Sequence, residues 1–265
     1  MQFFAYLASA LIGISLGLIG GGGSILTVPV LVYLFGTSPL LATSYSLFIV
    51  GSTSMVGVFA NYRKGLVNIK TALLFGLTSI STVFISRKFL VPLIPHNILR
   101  IGSFQLTQNI LTMVFFAVLM VAAATAMIKS GSKIDDSHHT GDKKLTITKL
   151  LIYGVGIGLA TGFLGAGGGF LLIPTLVLLV GLPMKQAVST SLLIIAMNSL
   201  IGFTGDLGHF AINWSFLLKI TAIAIAGIFA GGLISRRIDG NKLKKGFGWF
   251  VLVMGIYILA KELFF

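Results

Sequence analysis

Cysteine is absent from this chain of 265 residues, so disulfides, thiolate metal sites and cysteine nucleophiles are excluded. Charged residues are also scarce, at 9% of the chain, whereas a soluble domain usually carries about 25%. Hydrophobic residues make up 56%, and the mean hydropathy is +1.02. No soluble core could bury so much apolar sequence, and the chain is therefore predicted to lie mostly in lipid.

Acidic residues are the rarest charges, with six Asp and Glu against 19 Lys and Arg and a net charge of +13. In a soluble protein this balance would favour nucleic acid as a partner, but no soluble basic domain is present to bind it. The excess instead indicates basic loops on the cytoplasmic side of a membrane. Since there is no pair of carboxylates and no helix-borne metal motif, we expect neither an enzyme nor a metal site, and no clear proton relay.

The chain repeats itself at an offset of 145 residues. Residues 13–57 align with residues 158–202 without a gap, and 18 of the 45 pairs are identical. Asn68 falls on Asn213 at the same offset, which favours a structural role for Asn213 over the glycosylation acceptor that it begins. Two copies of a glycine-broken apolar segment, one in each half, are the best sequence indication of a transporter site near the bilayer midplane.

Apolar segments follow one another along almost the whole chain. They are predicted at 3–19, 25–36, 40–60, 69–86, 106–128, 150–164, 170–182, 187–205, 214–235 and 246–261. The second segment of each half is too short to cross a membrane, because a span needs about 20 residues. The sequence therefore predicts an all-α integral membrane protein with two repeats. Each repeat has a glycine-broken pair of one long and one short helix, plus three transmembrane helices.

The halves are predicted to be residues 1–128 and 150–265, joined by a polar cytoplasmic linker at 129–149. Five segments per half place 14 basic residues on one side of the membrane and five in the loops of the other side, which are Arg87, Lys88, Arg100, Lys219 and Lys261. Since Lys and Arg set orientation, this segregation predicts inverted repeats with both termini outside. The linker is predicted to be a flexible loop rather than a weak metal site, because nothing fixes its ligand geometry. Its possible ligands are Asp135, Asp136, His138, His139 and Asp142.

Each glycine run is predicted to break a membrane helix, because glycine accepts conformations that other residues avoid. Such backbone at membrane depth must be buried in protein or line a wet cavity. The next helix then begins with unpaired N–H groups and a positive dipole end, which bind small anions. The two helix starts, one from each half, are predicted to converge on one central site. Neutral hydroxyl and amide groups follow in the third segment of each half. The candidate substrate-binding residues are Gly20, Gly21, Gly22, Gly23, Ser24, Ser44, Ser46, Gly165, Gly167, Gly168, Gly169, Ser189, Ser191 and Asn198.

Small residues also have a simpler role in membranes, which is to let helices pack closely. Gly13 with Gly17, and Gly158 with Gly162, are predicted to be such packing contacts. For any single serine, a hydrogen bond between helices is as good an explanation as a ligand contact. Asp206 is predicted to lie in a loop exposed to water, although an acid inside the membrane would be a candidate proton relay.

Two glycine-rich motifs identify a family. The first is GLIGGGG at 17–23 with Pro29, and the second is GFLGAGGG at 162–169 with Pro174; Ala-x-Ser-x-Ser-Leu follows both. On these motifs the chain resembles the sulfite exporter family of TauE/SafE type over essentially its whole length. The resemblance implies a bacterial or archaeal inner-membrane permease for small sulfur-containing anions such as sulfite or organosulfonates. It implies no redox cofactor and no ATPase domain. Ala166 departs from the pattern by replacing a glycine.

The sequence thus favours a secondary transporter that exports a small sulfur-containing oxyanion by alternating access around a midplane site. Its expected partners are that anion and the lipid bilayer, without cofactor or nucleic acid. A passive anion channel is one alternative, which would show large unitary currents and no counterflow exchange. A non-transporting membrane scaffold is another, in which substitutions in the glycine runs would be silent unless they disturbed folding.

Overall fold

The computed structural model describes residues 2–63, 65–95, 97–101, 104–129, 147–165, 167–178, 180–235 and 240–264. The elements of the first half are α1 Gln2–Ile19, a 3-10 helix Gly20–Leu26, α2 Thr27–Tyr33, α3 Pro39–Tyr62, α4 Ile69–Ile85, a π-helix Ser86–Leu90, α5 Val91–Leu93, β1 Asn97–Ile101, β2 Phe104–Thr107 and α6 Gln108–Lys129. Those of the second half are α7 Ile147–Leu164, α8 Gly169–Leu178, α9 Met184–Asp206, α10 Trp214–Ser235 and α11 Gly240–Phe264.

The prediction of an all-α membrane protein is confirmed, and each predicted apolar segment is a helix. Among the described residues, five helical stretches are long and apolar enough to cross a bilayer. They are Pro39–Phe59, Ile69–Leu93, Gln108–Ala126, Lys185–Asp206 and Trp214–Ile234. The second helix of each half is short, as its apolar run indicated: α2 has seven residues and α8 has ten. The chain is therefore a multi-pass membrane protein.

Three local features differ from the expectation. The first glycine run is not open backbone but a 3-10 helix that leads straight into α2. The helix that begins at Ile69 does not stop near residue 86, because a π-helix and α5 carry it on to Leu93. A short antiparallel hairpin, β1 with β2, precedes α6. The metal and flexible-loop alternatives for the linker lie outside the described residues.

Glycines bring the helices of the two halves into backbone contact. On α1, a Cβ added to Gly13 would lie 2.8 Å from the carbonyl carbon of Ala224 on α10, and one added to Gly17 would lie 2.9 Å from Gly231 Cα. The same contact joins α7 to α4: a Cβ on Gly158 would lie 2.7 Å from the Ser79 carbonyl oxygen. The prediction that Gly13, Gly17, Gly158 and Gly162 are packing residues is confirmed.

A pair of glycines on α7 tests this packing. Gly158→Ala should lower the unfolding temperature in detergent, because overpacking a close helix contact costs about 1–3 kcal/mol. Gly156→Ala is the matched control: an added Cβ there has nothing within 4 Å, and replacing a helical glycine gains about 0.5–1 kcal/mol. Equal unfolding temperatures for the two variants would contradict the contact.

The central pair of helices, α3 and α9, runs antiparallel. A Cβ on Gly51 would lie 2.8 Å from Leu200, whereas one on Gly57, further along α3, would lie 3.3 Å from Leu192, earlier in α9. Since α3 and α9 occupy corresponding places in the repeat, corresponding elements of the two halves run in opposite directions here.

Two asparagines at corresponding positions tie the halves together reciprocally. Asn68 caps α4 by accepting from the Thr71 amide, and Asn213 accepts from the Phe216 amide at the start of α10. The backbone N–H of Asn68 donates to the hydroxyl of Thr190 at 2.9 Å, and the backbone N–H of Asn213 donates to the hydroxyl of Tyr45 at 2.8 Å. Tyr45 and Thr190 are themselves 145 residues apart. The shared structural role predicted for Asn68 and Asn213 is therefore a helix cap, worth about 1 kcal/mol each.

Candidate anion site at the glycine crossing

The two glycine runs are in direct contact with each other. A Cβ added to Gly21 would lie 2.9 Å from the Cα of Gly169, and one added to Gly169 would lie 2.5 Å from the Cα of Gly21. No side chain fits at either position without displacing backbone. The sequence prediction that the two runs come together is therefore correct in its geometry, and we call this contact the glycine crossing.

Positive φ angles explain why glycine is needed beside the crossing. Gly20 in the first half has φ +67°, and Gly165, Gly167 and Gly168 in the second have φ +65°, +67° and +67°. A left-handed residue other than glycine costs about 1–2 kcal/mol. The two breaks differ, however: in the second half α8 starts directly after these residues at Gly169, whereas α2 continues from a 3-10 turn. The prediction of two matching free helix starts is therefore wrong for the first half.

On each side of the crossing, a glycine of one half lies against the third α-helix of the other half; we call these two contacts the flanks. Gly20 lies against Val188 of α9, and Gly165 lies against Thr43 of α3, with an added Cβ 2.5 Å from a side-chain carbon in each case. Val188 and Thr43 correspond at the repeat offset. One flank is thus apolar and the other carries a hydroxyl group, so the two halves present different chemistry.

Every predicted site residue whose burial is described is buried, and Gly22 lies within the 3-10 helix beside them. Ser24, Ser189 and Ser191 donate to carbonyl oxygens of their own helical segments. The buried Ser44 Oγ has no hydrogen-bond partner among the described residues.

Other groups remain free of protein partners within the part of the chain that the structure describes. Asn198 donates to Ser79 Oγ at 2.6 Å, yet its own Oδ1 has no partner there. Further buried hydroxyl groups without a described partner are those of Thr27, Ser46, Ser54, Ser86, Thr161 and Ser199. Burying such a group unpaired costs about 1–3 kcal/mol. Such groups have unused capacity to hydrogen-bond a polar ligand.

Ser199 connects these hydroxyl groups to the glycines. A Cβ on Gly167 would lie 3.0 Å from Ser199 Oγ and 2.9 Å from both Ile195 and Val50. The Thr161 hydroxyl lies against Gly168. Ser54 and Ser199 correspond in the repeat but were not among the predicted ligands, although their identity in both halves could have shown them.

A buried ion pair stands beside the Gly165 flank. Arg87 Nη1 donates to Asp206 Oδ2 at 3.2 Å, and the two side chains are 0% and 1% exposed. Arg87 Nη1 also donates to Thr43 Oγ1 at 3.0 Å. The prediction that Asp206 lies in a water-exposed loop is wrong, because α9 extends to Asp206 and packs against the π-helix. Arg87, which the charge count placed among the residues facing water, is buried as well.

A family model described as "Sulfite exporter TauE/SafE" matches residues 5–258. The chain belongs to the TauE/SafE family. It is 29% identical over 258 residues to a probable membrane transporter protein of Xylella fastidiosa, covering 96% of this chain and 94% of the relative. It is 26% identical over 282 residues to one of Bacillus subtilis, covering 100% of both chains. A probable membrane transporter of Methanocaldococcus jannaschii is 35% identical over 120 residues, which is 43% of this chain and 45% of the relative. No solved structure matches the chain.

One sequence signal could have placed Arg87 inside this TauE/SafE protein. Apolar residues continue after it, from Phe89 to Leu93, so the arginine lies within a 25-residue apolar stretch and not at its edge. A charge inside a transmembrane segment is rare and usually functional. Counting Arg87 with its exposed neighbour Lys88 as one basic loop concealed this.

Proposed function

We propose that this TauE/SafE protein is a secondary transporter that exports a small sulfur-containing oxyanion, such as sulfite or an organosulfonate, by alternating access. The observation that carries the proposal is the glycine crossing. Two broken membrane segments from different halves touch there through backbone alone, beside buried hydroxyl groups that the fold leaves without described partners. The transporter names of the relatives and the family description agree with this class of function.

The antiparallel α3 and α9 and the reciprocal contacts of Asn68 and Asn213 support an inverted repeat. We propose that the two halves lie upside down relative to each other in the bacterial or archaeal inner membrane, with both termini outside. Rocking one half against the other would then expose the crossing to each side in turn. Broken helices at the interface of such repeats are a recurring transporter design.

The chemistry of the crossing suits an oxyanion. Hydroxyl and amide donors hold oxygen atoms without neutralising the ligand, and the start of α8 adds N–H groups and the positive end of a helix dipole. Among the acidic residues that the structure describes, Asp206 is buried close by and is already paired with Arg87. The described surroundings of the crossing therefore favour a negative ligand over a cation.

Flux into proteoliposomes tests the proposal. We expect Ser199→Ala combined with Ser54→Ala to lower counterflow of radiolabelled sulfite at least about tenfold, since two hydrogen bonds to a charged ligand are lost. Ser81→Ala is the control, because Ser81 is exposed on α4 and donates only to the Leu77 carbonyl. Full counterflow in the double variant would remove the site assignment. Large unitary currents without counterflow would instead identify a channel.

A further inference from the structure

The Arg87 guanidinium is only partly used by the protein. Nη1 makes both hydrogen bonds, to Thr43 and Asp206, while the buried Nε and Nη2 have no partner among the described residues. Pairs of arginine and carboxylate are frequently bidentate, with two parallel hydrogen bonds. Here the contact with Asp206 is a single bond, which leaves the Nε–Nη2 edge of the guanidinium as a free two-pronged donor.

The Arg87 side chain lies on the Gly165 side of the glycine crossing. Thr43, which Arg87 contacts, lies against Gly165, and a Cβ on Gly205 would be 3.1 Å from Arg87 Cβ. Val50 lies beside the crossing, against Gly167. Thr43 precedes it on α3 by seven residues, which is about 10 Å along the helix. The guanidinium therefore stands between the crossing and one end of the α3 span.

The second half shows that the fold does not require this charge. Arg87 corresponds to Gly232, where an added Cβ would have nothing within 4 Å, and Asp206 corresponds to Asn61. The neighbouring contact is nevertheless kept: Ser86 lies against Gly162 of α7, and Gly231 against Gly17 of α1. The same helix contact thus has an ion pair next to it in the first half and none at the corresponding described residues of the second half.

The local backbone differs between the halves in the same place. Arg87 lies in the π-helix Ser86–Leu90, whereas α10 passes through the corresponding turn as ordinary α-helix to Ser235. Single π turns inside α-helices occur frequently at functional sites. The π turn and the buried cation thus occur together in the first half, and both are missing from the corresponding described residues of α10.

We propose that Arg87 is the cationic ligand of the transported anion, and this rests on the proposed anion transport. The Nε and Nη2 groups bind two oxygen atoms of a sulfite-like or sulfonate-like group, in the planar fork geometry that arginine offers and lysine does not. Asp206 holds the guanidinium in place through Nη1. Thr43 supports the same nitrogen, and the hydroxyl of Ser86 is the nearest further donor in sequence.

Thermal unfolding of the purified full-length protein in detergent, with titrated sulfite or methanesulfonate, tests the proposal, because a ligand of the folded state stabilises it in proportion to its affinity. Arg87→Lys keeps the charge and removes the fork, and it should weaken the apparent affinity about 10- to 100-fold. The double variant Arg87→Gln, Asp206→Asn leaves no lone buried charge and should lose the response. Lys88→Gln, an exposed neighbour, should respond like the wild type.

The outcomes separate this inference from the function on which it rests. Unchanged affinity in Arg87→Lys and in the double variant, with a responsive wild type, would overturn the role of Arg87 and leave anion transport standing. No response of the wild type to either anion, together with no sulfite flux, would overturn both. If the double variant does not fold, Arg87→Lys decides, since it retains the ion pair.

Discussion

Replacing Arg87 with methionine should lower the free energy of unfolding by about 3–5 kcal/mol, because removing one partner of a buried ion pair leaves the other charge uncompensated. Asp206 is 1% exposed, so its carboxylate would remain buried without the guanidinium. Chemical or thermal unfolding in detergent, at constant detergent concentration, measures the loss.

The double variant Arg87→Met, Asp206→Asn is the control for this result. It removes both charges, and replacing a whole buried pair is often neutral. We therefore expect it to recover most of the stability that Arg87→Met loses. If the single and double variants are equally stable, the pair does not behave as a buried ion pair.

Replacing Gly169 with valine should prevent the two halves from closing on each other. The new side chain would meet the carbonyl group of Gly21, and both partners at this contact are backbone, which cannot rotate away. We expect a loss of about 3 kcal/mol or more in unfolding free energy and no measurable sulfite counterflow, since overpacking of an unyielding contact lies at the costly end of its range. Yield of monodisperse protein and flux together measure the effect.

Gly232→Val is the matched control, because it places the same side chain on α10 where an added Cβ meets nothing within 4 Å. It should insert, fold and transport normally. Wild-type stability and flux in Gly169→Val would show that the crossing is not a rigid backbone contact.

The arrangement of helices was largely predictable because lipid imposes strong rules on sequence. The apolar runs indicated the five helical stretches that are long enough to span the bilayer among the described residues, and that α2 and α8 are short; α11, which was also predicted to span, is not among the five. The repeat predicted corresponding helix ends in the two halves: α1 ends at Ile19 and α7 ends at Leu164, which are separated by the offset of 145 residues. The glycine crossing was likewise predictable, because consecutive glycines exceed what helix packing needs and the helix after each run is short.

What could not be predicted depends on contacts between halves that the sequence does not show. Whether the first glycine run would be open or 3-10 depends on what packs around it. The apolar run past Arg87 indicates that it lies inside a span, but the π turn and the pairing with Asp206 depend on tertiary packing. Packing also sets the direction in which each buried hydroxyl points, so the sequence does not separate Ser189 and Ser191, which donate to their own helix, from Ser54 and Ser199, which have no described partner.

The reciprocal caps at Asn68 and Asn213 have a consequence for biosynthesis. Asn68 contacts a hydroxyl 122 residues later in the chain, and Asn213 contacts one 168 residues earlier. The leading half therefore leaves the ribosome and enters the bilayer well before the groups that complete it have been translated. The contacts between the two halves therefore form after both halves have been inserted. We expect a chain truncated after the linker to keep its helices but to lack the partner groups that the second half supplies at these contacts.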